Sequence, residues 1–318
     1  MILLTGASGF VGNEILSQLI QRSVLPIRTY GRRLSDRLNI NHNITVDHVV
    51  GEIGAEVNYA NALSGVDVII HCAALAHVTK GDDLSYQQVN TLGTIELAKQ
   101  AQKAGVKRFV FISSIGVIGS STKATPFSVD STAHPHSAYA QSKYDAELGL
   151  REIAVETGFE VVIVRPTLVY GPNAPGNFGL LTKLVKKLPM LPFGLANNKR
   201  DFIAVQNLAD LLITCATHPN AAGHTFLASD METVSIKQFT NAIADGLDKK
   251  TFQLPVPVSL MRLVGKLTGK FAMIEQLYGN LQVDSSNIKE VLDWTPPLTM
   301  KQAMATLRDS GKSSSGKE

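Results

Sequence analysis

The chain has 318 residues, 44% of them hydrophobic, and a formal charge of only +3. That length suits one large α/β domain, or a main domain with a smaller lobe, around a well-buried core. The weak charge, with no basic block, argues against nucleic acid as a partner. No apolar run reaches the roughly 18 residues that span a bilayer.

Cys72 and Cys215 lie in apolar runs and have no metal-ligand spacing with His, so buried free thiols and no metal are expected. Met1 leads straight into the first strand with no leader, which makes a cytoplasmic location the expectation.

Met1-Ile-Leu-Leu4 reads as a short strand and runs directly into Thr5-Gly6-Ala7-Ser8-Gly9-Phe10-Val11-Gly12. Ile15, Leu16, Leu19 and Ile20 then repeat at helical spacing. Strand, glycine turn and helix in that order form the setting of a dinucleotide-binding turn. Gly6 permits the tight turn, Gly9 lets the backbone approach a pyrophosphate, and Gly12 lets helix pack closely on strand. Phe10 and Val11 belong to this cofactor-binding turn, and the helix that follows, Asn13 to Ile20, turns its N-terminal N–H groups to the phosphates.

The second strand, Leu25 to Tyr30, ends in Gly31-Arg32-Arg33. A site for NAD usually has Asp or Glu about twenty residues after the glycines, bonded to the ribose 2′-hydroxyl. Gly31 stands in that place. Without the acid a 2′-phosphate is not repelled, and Arg32 could hold it. NADP(H) is therefore favoured, with NAD(H) the alternative.

Val46 to Ile53 is a third strand, with Glu52 and Ile53 placed to flank an adenine. Val66 to Ala74 is a fourth, whose small Ala73 and Ala74 let its end pass beside the cofactor. His71 and His77 read as structural histidines. Helical patterning runs from Ser85 through Asn90-Thr-Leu-Gly-Thr94 to Lys103, and Arg108 to Ser114 is a fifth strand ending in hydroxyls. This alternation predicts a doubly wound parallel α/β sheet with its ligands at the carboxyl ends of the strands.

His134-Pro135-His136 closes the next loop, and Ser137 can cap a helix carrying Tyr139 and Lys143. Four residues apart, these two side chains share a helix face. A lysine ammonium beside a phenol favours the phenolate and eases proton transfer near neutral pH.

A sixth strand, Glu160 to Val164, leads into Arg165-Pro-Thr-Leu-Val-Tyr-Gly-Pro172. Residues 1–172 are thus expected to form the dinucleotide domain. Residues 173–309, where Gly, Pro and Asn accumulate up to Asp201, are expected to form mainly a smaller substrate lobe interleaved with it. Residues 310–318 read as a flexible polar tail. The apolar run Val258 to Leu267 is expected to pack within the lobe, with peripheral membrane contact the alternative.

Thr5-Gly-x-x-Gly-x-x-Gly12, Asn90-x-x-Gly-Thr94, Ser113-Ser114, Tyr139-x-x-x-Lys143 and Arg165-Pro-x-x-Val-Tyr-Gly-Pro172 occur in that order. With these motifs the chain resembles the extended short-chain dehydrogenase/reductase family, in its nucleotide-sugar epimerase/dehydratase branch, over nearly its whole length. The resemblance implies a Rossmann fold in which Tyr139 is the acid/base on a sugar hydroxyl and Ser114 bonds that same oxygen. Lys143 would bind the nicotinamide ribose and lower the phenol pKa, and Asn90 and Pro166 would lie beside the cofactor. Asn177, Phe193 and Arg200 match positions that hold the diphosphate and base of a UDP-sugar. A homodimer through the Tyr139 helix is also implied.

Two departures narrow the function. Dehydratases of this branch carry Asp-Glu after the catalytic hydroxyl, and here Ile115-Gly116 follow Ser114, which argues against 4,6-elimination of water. An arginine that epimerases place before the last helix has no clear match around Leu277-Tyr278-Gly279. The shared chemistry is hydride transfer at C4 of a nucleotide-linked hexose.

Gly31-Arg32 tips the expectation to an NADPH-dependent 4-ketoreductase of a UDP-4-keto-6-deoxy-N-acetylhexosamine, in the synthesis of surface-polysaccharide sugars. The alternative is an NAD-dependent 4-epimerase of UDP-hexose or UDP-N-acetylhexosamine. A non-catalytic NADP-binding sensor is remote, because Ser114, Tyr139 and Lys143 are all present. A polyprenyl-diphosphate-linked sugar is a further candidate substrate, given the apolar stretch after Pro257.

Overall fold

The computed structural model describes residues 1–22, 26–33, 46–76, 83–269 and 271–311. His77 and the end of the tail, from 312 onward, lie outside them. In chain order the first half comprises β1 (Ile2–Thr5), α1 (Phe10–Arg22), β2 (Ile27–Gly31), β3 (Val46–Val50), α2 (Ala60–Leu63), β4 (Val68–His71), α3 (Asp83–Tyr86), α4 (Gly93–Lys103), β5 (Arg108–Ile112) and α5 (Ala138–Thr157). Then come β6 (Glu160–Pro166), β7 (Leu168–Tyr170), α6 (Gly176–Lys187), β8 (Met190–Leu191), β9 (Arg200–Ala204), α7 (Val205–Thr217), β10 (Thr225–Ala228), β11 (Thr233–Val234), α8 (Ile236–Gly246) and β12 (Phe252–Gln253). Four helices finish the chain: α9 (Val258–Leu267), α10 (Phe271–Tyr278), α11 (Ser286–Leu292) and α12 (Met300–Ala305).

Seven strands form one parallel sheet in the order β10-β6-β5-β4-β1-β2-β3. The predicted doubly wound α/β fold is therefore the observed one. Its central strands read as near-continuous apolar runs because both faces are covered. Alternation along β1 divides the core: Ile2 and Leu4 pack with Ile15, Leu16, Leu208 and Leu212 of α1 and α7. Leu3 faces the other way, with Leu97 of α4 and Leu150 of α5.

Two elements from beyond residue 172 return to this sheet. α7 covers one face, and β10 pairs with β6 at the edge. The Gly-, Pro- and Asn-rich stretch also contains α6, because Phe178, Leu181 and Val185 recur at helical spacing and are buried. With Phe202, Ile236, Phe239 and Ile274 they form a second apolar cluster beside the carboxyl ends of the large sheet.

α9 packs only in part. Val258 and Met261 rest on that cluster and Gly265 is buried, whereas Leu260, Leu263, Val264 and Leu267 are exposed. No helix among the described residues is long and apolar enough to cross a membrane.

Candidate active site

The carboxyl ends of β1, β4, β5 and β6 open onto a cleft of about 580 Å³, closed on its far side by residues of β9, α6 and α10. Gly6, Gly9, Phe10, Val11 and Gly12 form one end of it. The turn tolerates no side chain where it is tightest. Gly6 has φ +72°, a left-handed backbone that favours glycine, and a Cβ on Gly12 would lie 2.1 Å from the Gly6 carbonyl oxygen. The Gly9 N–H donates to that same oxygen at 2.9 Å. The first turn of α1 holds no acidic residue, so its positive end is free to favour an anion. A backbone cradle this close-fitting suits the pyrophosphate of a dinucleotide.

Ser114, Tyr139 and Lys143 line the middle of the same cleft. Ser137 caps α5, its hydroxyl accepting from the Ala140 N–H at 3.2 Å, and this fixes where Tyr139 enters. The Ser114 hydroxyl accepts from the Gly116 N–H at 3.1 Å, which leaves its own hydrogen free to donate into the cleft. Lys143 is 2% exposed, donates to the Ile112 carbonyl at 2.7 Å and lies 4.4 Å from the centre of the Phe111 ring. Burial pulls its ammonium down to about 8.

The expected depression of the phenol is not what this geometry gives. Burial, followed by the charge of Tyr86, pushes the half-buried Tyr139 up to about 12, while the lysine ammonium is engaged by Ile112.

Beneath these residues lies a buried polar scaffold that local spacing did not reveal. Glu147, one turn beyond Lys143, is fully buried. It receives a two-pronged contact from Arg165, at 2.9 and 2.5 Å, and a 2.5 Å hydrogen bond from Ser113. Arg151 adds a second cation at 3.1 Å. The one available signal was a carboxylate at i+4 on a face otherwise made of Ala146 and Leu150, where burial demands a cationic partner.

Asn90 turns inward from a π-helical turn spanning Gln87–Leu92. It pairs with both the N–H and the carbonyl of Leu75, and donates to Ser142 on α5. Within the same motif, Gly93 lets α4 pack against Ile53 and Gly54. Thr94 meets His71, whose other nitrogen faces Thr5 at 2.8 Å. His71 is buried, and burial lowers its pKa to about 3, as a structural histidine requires.

On the opposite wall Asn177 and Arg200 line the cleft, joined by Gln276, which the sequence did not single out. Arg200 is 7% exposed and donates to the Gly279 carbonyl at 3.0 Å; burial lowers it to about 10. His136 and Thr167 also face the cleft.

Ala74 and Pro166 line the cleft as expected, but six other predicted residues do not, among them Asn90, whose side chain is taken up by Leu75 and Ser142. Ala73 lies under the glycine turn, with its N–H on Thr5. Ile53 packs on Gly93, Glu52 is exposed at the end of β3, and Arg32 is exposed after β2. Phe193 is the clearest correction. It is 2% exposed and packs 5.8 Å from Tyr278 inside the second cluster, because that loop turns its aromatic ring toward apolar neighbours rather than toward the cleft. Among the described residues no group of acidic, Cys or His side chains could hold a metal.

Residues 2–228 match the NAD dependent epimerase/dehydratase family. The chain is 42% identical over 307 residues to a UDP-glucose 4-epimerase of Vibrio cholerae, covering 95% of this chain and 92% of that protein. It is 26% identical to an N-acetyl-alpha-D-glucosaminyl-diphospho-ditrans,octacis-undecaprenol 4-epimerase of Escherichia coli O157:H7, over 95% and 92% of the two. In fold it matches the UDP-glucuronic acid 4-epimerase of Bacillus cereus, solved with NAD, at a TM-score of 0.77 and 20% identity, over 98% of each chain.

Proposed function

The chain belongs to the NAD dependent epimerase/dehydratase family, and from that premise we propose that it interconverts epimers at C4 of a UDP-linked hexose, keeping NAD in the cleft through turnover. It is an NAD(P)-dependent nucleotide-sugar enzyme. The observation that carries the proposal is the meeting of Ser114, Tyr139 and Lys143 with the glycine turn in one cleft. The Vibrio cholerae relative favours the epimerase over the ketoreductase that the sequence suggested, for which these relatives give no specific support.

Each side chain then has a task. The backbone from Gly6 to Gly12 would hold the cofactor's pyrophosphate, and Ala74 and Pro166 would flank its nicotinamide half. A nicotinamide bound there supplies acceptance and return of hydride at C4. Tyr139 takes the proton from O4 and gives it back. Its raised pKa keeps the phenol protonated at neutral pH, ready to donate to a carbonyl oxygen. Removing the O4 proton requires the phenolate, which the burial that raises the phenol pKa opposes. Ser114 donates its free hydrogen to O4 and fixes the oxygen against the phenol. Arg200 and Asn177 would bind the diphosphate.

One observation keeps the reductase as a second reading: Gly31 supplies no acid to repel a 2′-phosphate, and space around it is open. The two readings separate in a single experiment. Purified protein is incubated with UDP-galactose and no added cofactor, and in parallel with NADPH and a UDP-4-keto-6-deoxy-N-acetylhexosamine. Formation of UDP-glucose without added cofactor is the expected result. NADPH oxidation in the second mixture, with no epimerisation in the first, replaces the epimerase by the reductase.

A further inference from the structure

Charge is spread unevenly along this chain. It carries 27 acidic residues, yet neither residues 161–200 nor residues 249–274 contain an Asp or Glu. Lysines do occur there: Lys183, Lys186 and Lys187 on α6, then Lys249, Lys250 and Lys266, all of them exposed. The fold joins the two stretches on the outside of the lobe. β8 and β12 pair in parallel, which sets Met190 beside Phe252. The Lys249 ammonium donates to the Lys186 carbonyl, and the Gly194 N–H to the Leu254 carbonyl at 2.9 Å. α9 follows directly on β12, through Leu254 to Pro257.

The same elements expose hydrocarbon. Met190 and Phe252 are 51% and 62% exposed. α9 carries two apolar stripes, and the protein covers only one. Val258, Met261 and Gly265 turn inward. Leu260, Leu263, Val264 and Leu267 recur at helical spacing on the other face, where Leu267 is 78% exposed. Lys266 stands beside this stripe, its ammonium 5.4 Å from the centre of the exposed Phe271 ring.

What covers such a surface must be apolar at depth and negative at its rim. A second copy of the chain fails on the second count, because a two-fold contact sets the patch against itself, lysine against lysine. Protein interfaces in general are depleted in lysine. A bilayer with anionic headgroups meets both demands. Leucine and phenylalanine enter the boundary between headgroups and acyl chains, while lysine stems reach the phosphates above.

We propose that the lobe docks on an anionic lipid surface. The outer stripe of α9, with Met190 and Phe252, enters the headgroup layer, and Lys187, Lys250 and Lys266 meet the phosphates. None of these residues lines the cleft, so docking is separate from the reaction at C4.

The test floats full-length protein on a density gradient with vesicles of phosphatidylcholine, or of phosphatidylcholine and phosphatidylglycerol in equal parts. Flotation with the anionic vesicles only, reversed by high salt, is expected. Lys187→Glu with Lys250→Glu should lower vesicle affinity about 25-fold or more, since each lysine near an anionic surface contributes about fivefold. Leu263→Ser with Leu267→Ser should lower it about tenfold or more at unchanged charge. All four positions are exposed, so urea midpoints should stay near wild type.

No flotation of the wild type with anionic vesicles overturns the inference, and so does equal flotation with both kinds. Wild-type affinity in either pair of variants also overturns it. In the leucine pair that result leaves an attraction of charge alone, which an acidic protein would serve equally well. If the leucine changes turn a dimer into a monomer, read by light scattering, the stripe belongs to a second copy and the lipid surface is excluded.

Discussion

The two walls of the cleft are built in opposite ways. On the sheet side the polar groups are anchored from below: Lys143 by Ile112, α5 by Asn90 and Ser142, and the floor by Glu147 with Arg165 and Ser113. On the lobe side the lining is largely apolar, and Asn177, Arg200 and Gln276 sit at the edge of a leucine- and phenylalanine-lined pocket. Proton transfer depends on hydrogen-bond geometry and needs a wall that does not move. Recognition of a carrier by burial is non-directional and tolerates variety. The difference teaches that one wall sets the chemistry and the other sets what may be brought to it.

Breaking the fixed wall should have the largest effects. Tyr139→Phe removes the proton carrier, and turnover should fall about 10²–10⁴-fold, while NADH binding, followed by fluorescence titration, stays near wild type. Turnover that survives would mean that proton transfer happens elsewhere. Glu147→Ala leaves the buried guanidinium of Arg165 uncompensated and should cost about 3–5 kcal/mol of stability in urea unfolding. The matched change on the other wall, Leu180→Ala at an exposed position, should stay within about 0.5 kcal/mol. Equal costs would erase the contrast.

The contrast also has a pH signature of its own. Burial holds Lys143 at about 8, below its usual 10.5. Between those values the unfolded chain keeps a proton that the folded protein has released, so this group makes stability rise with pH across that window. Below pH 8 both states carry the charge, and the full penalty of burying the ammonium is present. Lys143→Met removes the group. Urea midpoints at pH 7.5 and 9.5 should therefore show wild type gaining on the variant as pH rises. A constant difference would place the lysine in a more solvated setting than the cleft floor.

What could be read from the sequence follows the same division. Gly6 to Gly12, Asn90 to Thr94 and Tyr139 with Lys143 are patterns whose function is local, so spacing alone identifies them. Glu147 escaped because its partner Arg165 lies eighteen residues further on, not on the same helix but in β6, and no periodicity links the two. Phe193 was recognisable as an aromatic near the lobe, but the side of the loop it faces is decided by Tyr278, far along the chain. The return of α7 and β10 to the large sheet is likewise a matter of long-range packing. The phenol pKa departs from the expectation for a related reason: spacing shows that Lys143 is near, but not that Ile112 engages its ammonium.

The smallest expected effect lies outside both walls, at the end of β2, and it bears on the cofactor. Gly31 has no neighbour within 4 Å of a Cβ placed on it, and its φ is outside the left-handed region. Gly31→Asp should therefore fold normally, with stability within about 0.5 kcal/mol of wild type. A carboxylate there would face the ribose 2′ position, where it can bond a hydroxyl but repels a phosphate. Even in water two such charges about 4 Å apart cost on the order of 1 kcal/mol, and more where solvent is partly excluded. NADP(H) affinity, measured by titration of the apoprotein, should fall about tenfold or more, while NAD affinity holds or improves. For an enzyme that keeps NAD, C4 epimerisation then survives the substitution. If epimerisation is lost along with NADPH binding, the exposed Arg32 has been holding a 2′-phosphate all along, and the epimerase keeps NADP rather than NAD.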